Sequence, residues 1–187
     1  MFSCFTKVKA NGKRFLFAAL ILVFMTAFLG GCQNDDPALS LNFDLLNDGL
    51  NGTWSYDNSD YPEYNYDIII NNSTRTITYT GSYEGDIAAS HFGSTYGVVI
   101  IQYTKFASYG DPEPHDAHEN VGKYGALFYI ELTGTTVKMA DAYNLDWSLA
   151  LFTTYNMAID AFTPYQDKES VYMPGGWSHI STLVKTE

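Results

Sequence analysis

From Asn51 onward the chain is a succession of short strand-like segments separated by turn residues, and this pattern restricts the fold more than any other feature. The strongest segment runs from Tyr96 to Phe106 and contains Val98-Val99-Ile100-Ile101. Four β-branched residues in succession are typical of a central strand that is covered on both faces. Polar sequences such as Asn71-Asn72-Ser73 favour tight reversals between neighbouring strands. The pattern therefore predicts a mainly antiparallel, all-β domain.

Eight or so strands are expected, joined mostly by tight turns. The segments with a strand pattern lie near residues 54–56, 64–70, 75–80, 83–88, 96–106, 123–132, 135–143, 170–173 and 177–184. One short helix is predicted at 153–162, where Thr153 or Thr154 precedes an apolar stripe of helical spacing. An up-and-down barrel of about eight strands is the favoured architecture, because closure removes exposed sheet edges. An open β-sandwich is the alternative.

The N-terminal residues have the order of charge and apolarity that marks a secretory signal. Lys7, Lys9, Lys13 and Arg14 precede an uncharged run from Phe15 to Leu29. At about 1.5 Å per residue a helix of that length spans roughly 22 Å, less than the roughly 30 Å of a bilayer's hydrocarbon. A permanent membrane helix is therefore the weaker interpretation.

The run ends in Leu29-Gly30-Gly31-Cys32, which resembles the lipobox of bacterial lipoproteins. The resemblance implies that residues 1–31 are removed, that Cys32 carries the lipid, and that residues 32–50 form a lipidated tether. Residues 51–187 would then be a single exported domain, held on the cell envelope and expected at the outer membrane. The alternative is an ordinary signal peptide whose cysteine is incidental. Two or three acyl chains would anchor the protein stably, whereas one would not.

The charge of the chain argues against a nucleic-acid-binding protein, and its cysteines argue against a disulfide-stabilised domain or a thiol enzyme. All twenty-one Asp and Glu residues follow Cys32, and so do only six of the ten Lys and Arg residues, which gives that part a net charge of −15. Nucleic acid is therefore not an expected partner, since phosphate binding requires the opposite sign. The two cysteines are Cys4 and Cys32, so the domain has neither a disulfide nor a thiol nucleophile.

A second resemblance concerns the domain itself. Asn51-Gly52-Thr53-Trp54 is similar to the Gly-x-Trp start of lipocalin-like domains, which implies a lipocalin-like or calycin-like barrel with Trp54 as a plug at one end. The stretch from Tyr124 to Tyr143 resembles small tyrosine-rich lipoproteins of spirochaete type. This likeness implies a fold and a location, and it carries no catalytic motif.

One segment has residues that suit a metal ion. It runs from Asp111 to Glu119 and contains His115 and His118, with Asp116 between them. The candidate ligands are His115, His118, Asp116 and Glu119, for Zn²⁺ or another divalent ion. The preferred interpretation is a solvated acidic loop, because the segment is long and polar and contains no cysteine.

Three other residues are interpreted structurally. Trp147 precedes the predicted helix and is expected in the core, with cover of a barrel end as the alternative. His179 follows Trp177 in a predicted terminal strand and is expected to be a hydrogen-bonded structural histidine. His91 stands alone in the sequence.

The sequence predicts a membrane-tethered, non-catalytic binding module for a small apolar or amphipathic ligand. No nucleophile elbow, phosphate-binding loop or zinc-binding helix motif appears, and no cofactor is expected. All fifteen tyrosines follow Cys32, and tyrosine-rich strands suit a ligand pocket. The alternatives are a surface adhesin or envelope interaction protein with a protein partner, and an envelope hydrolase.

Overall fold

The structure is a computed structural model that describes residues 46–187, apart from residues 109, 110 and 112. The predicted signal peptide, the lipobox with Cys32 and most of the predicted tether lie outside the described residues.

Eight antiparallel strands form a closed up-and-down barrel in which each strand pairs with the next. The strands are β1 (Gly52–Tyr56), β2 (Tyr66–Asn71), β3 (Thr76–Tyr79), β4 (Tyr83–Phe92), β5 (Gly97–Phe106), β6 (Tyr124–Ile130), β7 (Thr136–Asp141) and β8 (Thr182–Lys185). The barrel closes where β8 returns to β1, with Trp54 opposite Lys185 and Ser55 opposite Val184. The predicted barrel is confirmed, and the open sandwich does not hold because β1 and β8 pair.

The barrel has two apolar cores, one inside it and one on its outer face. Along β5, Val99 and Ile101 belong to the interior, whereas Val98 and Ile100 belong to the outer core. Side chains alternate between the two faces of a strand, so a strand covered on both sides needs apolar residues at every position. This explains the β-branched run in the strongest predicted strand.

The outer core is covered by the long connection between β7 and β8, which contains helices α1 (Tyr155–Phe162) and α2 (Tyr165–Tyr172). The predicted helix is confirmed as α1, and the Thr154 hydroxyl accepts the N–H of Met157 at its start. Phe162 is fully buried against Phe128 of the sheet. Over the described range, no helix is both long and apolar enough to cross a membrane.

Two predictions for the last part of the chain are wrong. Residues 170–173, predicted as a strand, lie in and just after α2. The final strand, predicted from Trp177, begins only at Thr182, and Trp177–His179 is a 3-10 turn. The β propensity of Val171 and Tyr172 is overridden by tertiary packing, since the Tyr172 ring contacts Phe162 of α1.

The end of the barrel at which β1 begins, here called the closed end, is filled by the chain that leads into it. Leu50, in the 3-10 turn Asp48–Leu50, is buried in the interior core, so the packed part of the domain starts before residue 51. Trp54 is fully buried, and its indole N–H donates to the carbonyl oxygen of Leu50 at 2.8 Å. Gly52 has a φ of 131°, and a side chain there would collide with the backbone of Glu187.

Candidate functional site

The inward-facing side chains change character from one end of the barrel to the other. The closed end is filled mainly by aliphatic residues, with Trp54 and Tyr129, whereas the opposite end, here called the open end, carries a group of tyrosines. Five of them form the tyrosine arc: Tyr56, Tyr66, Tyr79, Tyr83 and Tyr103. Successive ring centroids in this arc are 5.3, 4.9, 5.5 and 4.8 Å apart.

The strand order brings the tyrosine arc together. Tyr56 and Tyr79 end β1 and β3, whereas Tyr66 and Tyr83 begin β2 and β4, and in an antiparallel meander these termini lie at one edge. Their partners in register include Tyr56 with Tyr66 and Tyr79 with Tyr83. The Tyr103 ring is admitted by Gly125 of β6, where a Cβ atom would lie 2.3 Å from the Tyr103 hydroxyl.

Asp141 is a buried carboxylate at this end of the barrel. It ends β7 at an inward position, two residues after Met139, and is only 8 % exposed. The Tyr83 hydroxyl donates to its Oδ1 at 2.8 Å. None of the ion pairs found among the described residues involves Asp141. Burial raises the pKa of Asp141 from its ordinary 3.8 to about 6, although the Tyr83 hydrogen bond opposes the shift.

The tyrosines around Asp141 are kept neutral. Burial raises the pKa of Tyr143 to about 12, and the charge of Asp141 is the second cause. The same two causes raise the pKa of Tyr79 above that of Tyr143. The pKa values of Tyr83 and Tyr103 are raised by the same two causes in the same order. At neutral pH these side chains therefore offer uncharged hydroxyl groups and aromatic faces beside a carboxyl group that is mostly ionised.

A pocket of about 210 Å³ lies at the open end, between the tyrosines and Asp141. Its wall combines aromatic, apolar and polar side chains: Tyr56, Tyr66, Ile68, Tyr79, Leu127, Met139, Ala140, Asp141, Tyr143, His179, Ile180 and Ser181. The barrel interior is thus filled at the closed end and contains a pocket at the open end.

A smaller, apolar pocket of about 50 Å³ adjoins the first. The two share Ala140, Tyr143, His179 and Ile180 in their walls, and the smaller one also contacts Trp147. Trp147 is 62 % exposed and has a φ of 65°, so the expectation of a core residue is wrong. The Asp146 carboxylate accepts the backbone N–H of Ser148 at 3.0 Å, and this turn places Trp147 at its tip.

His179 also differs from its predicted role. It is exposed, lies in a 3-10 turn instead of a strand, and lines both pockets. His91 is the buried histidine: its Nδ1 accepts the backbone N–H of Tyr165 at 3.2 Å, and burial lowers its pKa.

The candidate metal ligands are not brought together. His115 Nε2 lies 2.9 Å from Asp111 Oδ2, whereas His118 Nδ1 accepts the N–H of Asn120 and its ring lies 4.9 Å from the Phe106 ring. Asp116 and Glu119 are exposed. Within the described part of the chain, no group of three or more His, Cys, Asp or Glu side chains is placed to hold a metal ion.

Sequence reasoning did not single out Asp141 or the tyrosine arc. A usable signal was present for Asp141, because Val137, Met139 and Asp141 share one face of a strand and the first two are apolar. An acidic residue that continues an apolar face indicates either the rim of a core or a binding group. The convergence of tyrosines from five strands depends on the barrel's register and has no local signal.

No protein-family model, curated protein or solved structure matches this chain.

Proposed function

We propose that this protein is a lipid-anchored binding module of the cell envelope that holds a small amphipathic ligand at the open end of its barrel. The observation that carries this proposal is the pocket of about 210 Å³ whose wall combines tyrosine rings with the buried carboxyl group of Asp141.

The size and lining of the pocket suit a small molecule. An apolar cavity of about 150 Å³ accepts benzene, so a pocket of 210 Å³ accommodates a ligand of roughly eight or nine heavy atoms. Ile68, Leu127 and Met139 offer apolar surface, whereas the tyrosine hydroxyls, Asp141 and Ser181 offer polar contacts. Mainly apolar walls with a few polar groups are typical of ligand sites.

The pocket can be tested with two matched variants. Ser181→Phe places a ring in the pocket wall, whereas Ser94→Phe places the same ring on the exposed turn between β4 and β5, at the closed end. A set of amphipathic compounds of up to about ten heavy atoms is screened by ligand-observed NMR. We expect some of these compounds to bind both the unaltered protein and Ser94→Phe but not Ser181→Phe. The same compounds should shift the methyl resonance of Met139.

The absence of any binder in such a set would contradict the proposal, and so would binding that persists in Ser181→Phe without a shift at Met139. Preserved amide dispersion in the NMR spectrum of Ser181→Phe shows that the variant is folded.

The anchor rests on Leu29-Gly30-Gly31-Cys32 and has its own test. We expect the unaltered protein to incorporate a labelled fatty acid and Cys32→Ser to incorporate none, because the thiol is the acceptor. Cys4→Ser is the matched control and should retain the label. Label on Cys32→Ser would contradict the anchor without affecting the pocket.

A further inference from the structure

We infer that the pocket recognises the ammonium group of a small organic cation, such as a primary or quaternary amine. This inference rests on the proposed binding function and specifies its ligand class. Four tyrosine rings, one buried carboxylate and a volume suited to a small molecule meet in the same pocket.

The pocket wall is rich in aromatic rings. Tyr56, Tyr66, Tyr79 and Tyr143 all line the pocket, and the first three are neighbours with centroids 5.3 and 4.9 Å apart. The faces of aromatic rings carry a negative quadrupole that attracts cations, and sites lined by several aromatic rings can recognise quaternary ammonium groups. Several rings around one volume therefore favour a positively charged ligand over a neutral one of the same shape.

The carboxylate supplies the opposite charge. Asp141 lines the pocket, is nearly inaccessible, and takes part in none of the ion pairs of the described residues. A buried carboxylate without a cationic partner destabilises a fold, whereas a bound ammonium group would neutralise it. The pocket lining contains no lysine or arginine that could take this place.

The other titratable groups leave Asp141 as the acidic group of the pocket. Tyr66, Tyr79, Tyr83, Tyr103 and Tyr143 surround it, and burial keeps these phenols protonated at neutral pH. His179, from the connection between β7 and β8, and Tyr56, at the end of β1, line the same pocket. An anionic ligand would meet the carboxylate of Asp141 and is disfavoured.

Choline and 3,3-dimethylbutan-1-ol separate charge from shape, because the second has a neutral carbon in place of the ammonium nitrogen. Each compound is titrated into the full-length protein at pH 7.5, and binding is followed by isothermal calorimetry or NMR. We expect choline to bind at least ten-fold more tightly than its neutral isostere. At pH 5, where a carboxyl group of pKa about 6 is mostly protonated, choline affinity should fall by up to about ten-fold. The affinity of the isostere should change little.

Three variants identify the group responsible. In Asp141→Asn the preference for choline should shrink to the part that the tyrosine rings supply, and it should no longer depend on pH. Asp160→Asn, which removes an exposed carboxylate from α1, should retain the preference for choline. His179→Gln should retain the loss of choline affinity at pH 5, since the inference assigns that loss to Asp141 and not to His179.

Two results would overturn the inference. If choline and the isostere bind equally to the unaltered protein, the pocket does not select charge, although the proposal of a ligand pocket survives. If choline does not bind at millimolar concentration, the inference fails, and the compound screen with Ser181→Phe decides separately whether the pocket binds other molecules.

Discussion

Asp141 is the residue on which the chemistry of the open end depends. It lies inside the barrel at a strand end, its carboxylate accepts a hydrogen bond from the Tyr83 hydroxyl, and its burial favours the protonated form. Sequence analysis could place it at an inward position from the spacing of Val137 and Met139. It could not show that the residue would stay buried, because the tyrosines that cover it come from other strands.

Replacing Asp141 should reveal what its charge costs the fold. The pKa of Asp141 is about 6 in the folded state and near 3.8 when unfolded, so the folded state binds more protons between these values. The free energy of unfolding therefore falls as the pH rises through this window, by up to about 3 kcal/mol. We expect Asp141→Asn to be more stable than the unaltered protein at pH 7.5, by up to that amount, and similar to it at pH 4.

Urea unfolding at both pH values measures this difference, and Asp160→Asn is the exposed control. The Tyr83 hydroxyl can still donate to the amide oxygen of asparagine, so the variant loses the charge and keeps the hydrogen bond. If the stability difference between Asp141→Asn and the unaltered protein were the same at pH 4 and pH 7.5, the charge of Asp141 would not be what destabilises the fold.

Among the elements, α1 is the one that holds the long connection between β7 and β8 to the barrel. Its fully buried residues are Ala158 and Phe162, and the Phe162 ring contacts Phe128, Phe152 and Tyr172. The helix was predictable because an N-cap threonine precedes an apolar stripe. Helix α2 was not, because its side-chain pattern is only weakly amphipathic and its position depends on packing against α1 and the sheet.

Truncation of one side chain in α1 should show how much its packing on the barrel stabilises the fold. Phe162→Ala removes a fully buried ring and leaves a cavity between α1 and β6, so we expect it to lower the free energy of unfolding by about 3–5 kcal/mol. Met157→Ala, on the half-exposed face of the same helix, should change it by less than about 1 kcal/mol. Chemical denaturation of the two variants makes the comparison. If both variants lost a similar amount of unfolding free energy, the result would contradict the role of Phe162 in the outer core.

At the scale of the whole molecule, the sequence predicts the class and closure of the fold better than its site. Strand number and meander order follow from local alternation and turns, and closure follows from the need to avoid free edges. The pocket at the open end follows from none of these. It lies where tyrosines from several strands converge at one end of the barrel, whereas aliphatic residues, Trp54 and Tyr129 fill the other end.

The short pairing between β1 and β8 joins the two ends of the described chain. It consists of Trp54 with Lys185 and Ser55 with Val184, extended by backbone hydrogen bonds between Thr53 and the last two residues. Pairing between residues so distant in sequence carries the largest entropic cost of any ladder in the barrel, so it should form last during folding. Until it forms, β1 and β8 are free edges that can pair with another copy. During refolding at high protein concentration, closure of each barrel therefore competes with the pairing of β1 or β8 with a strand of another chain.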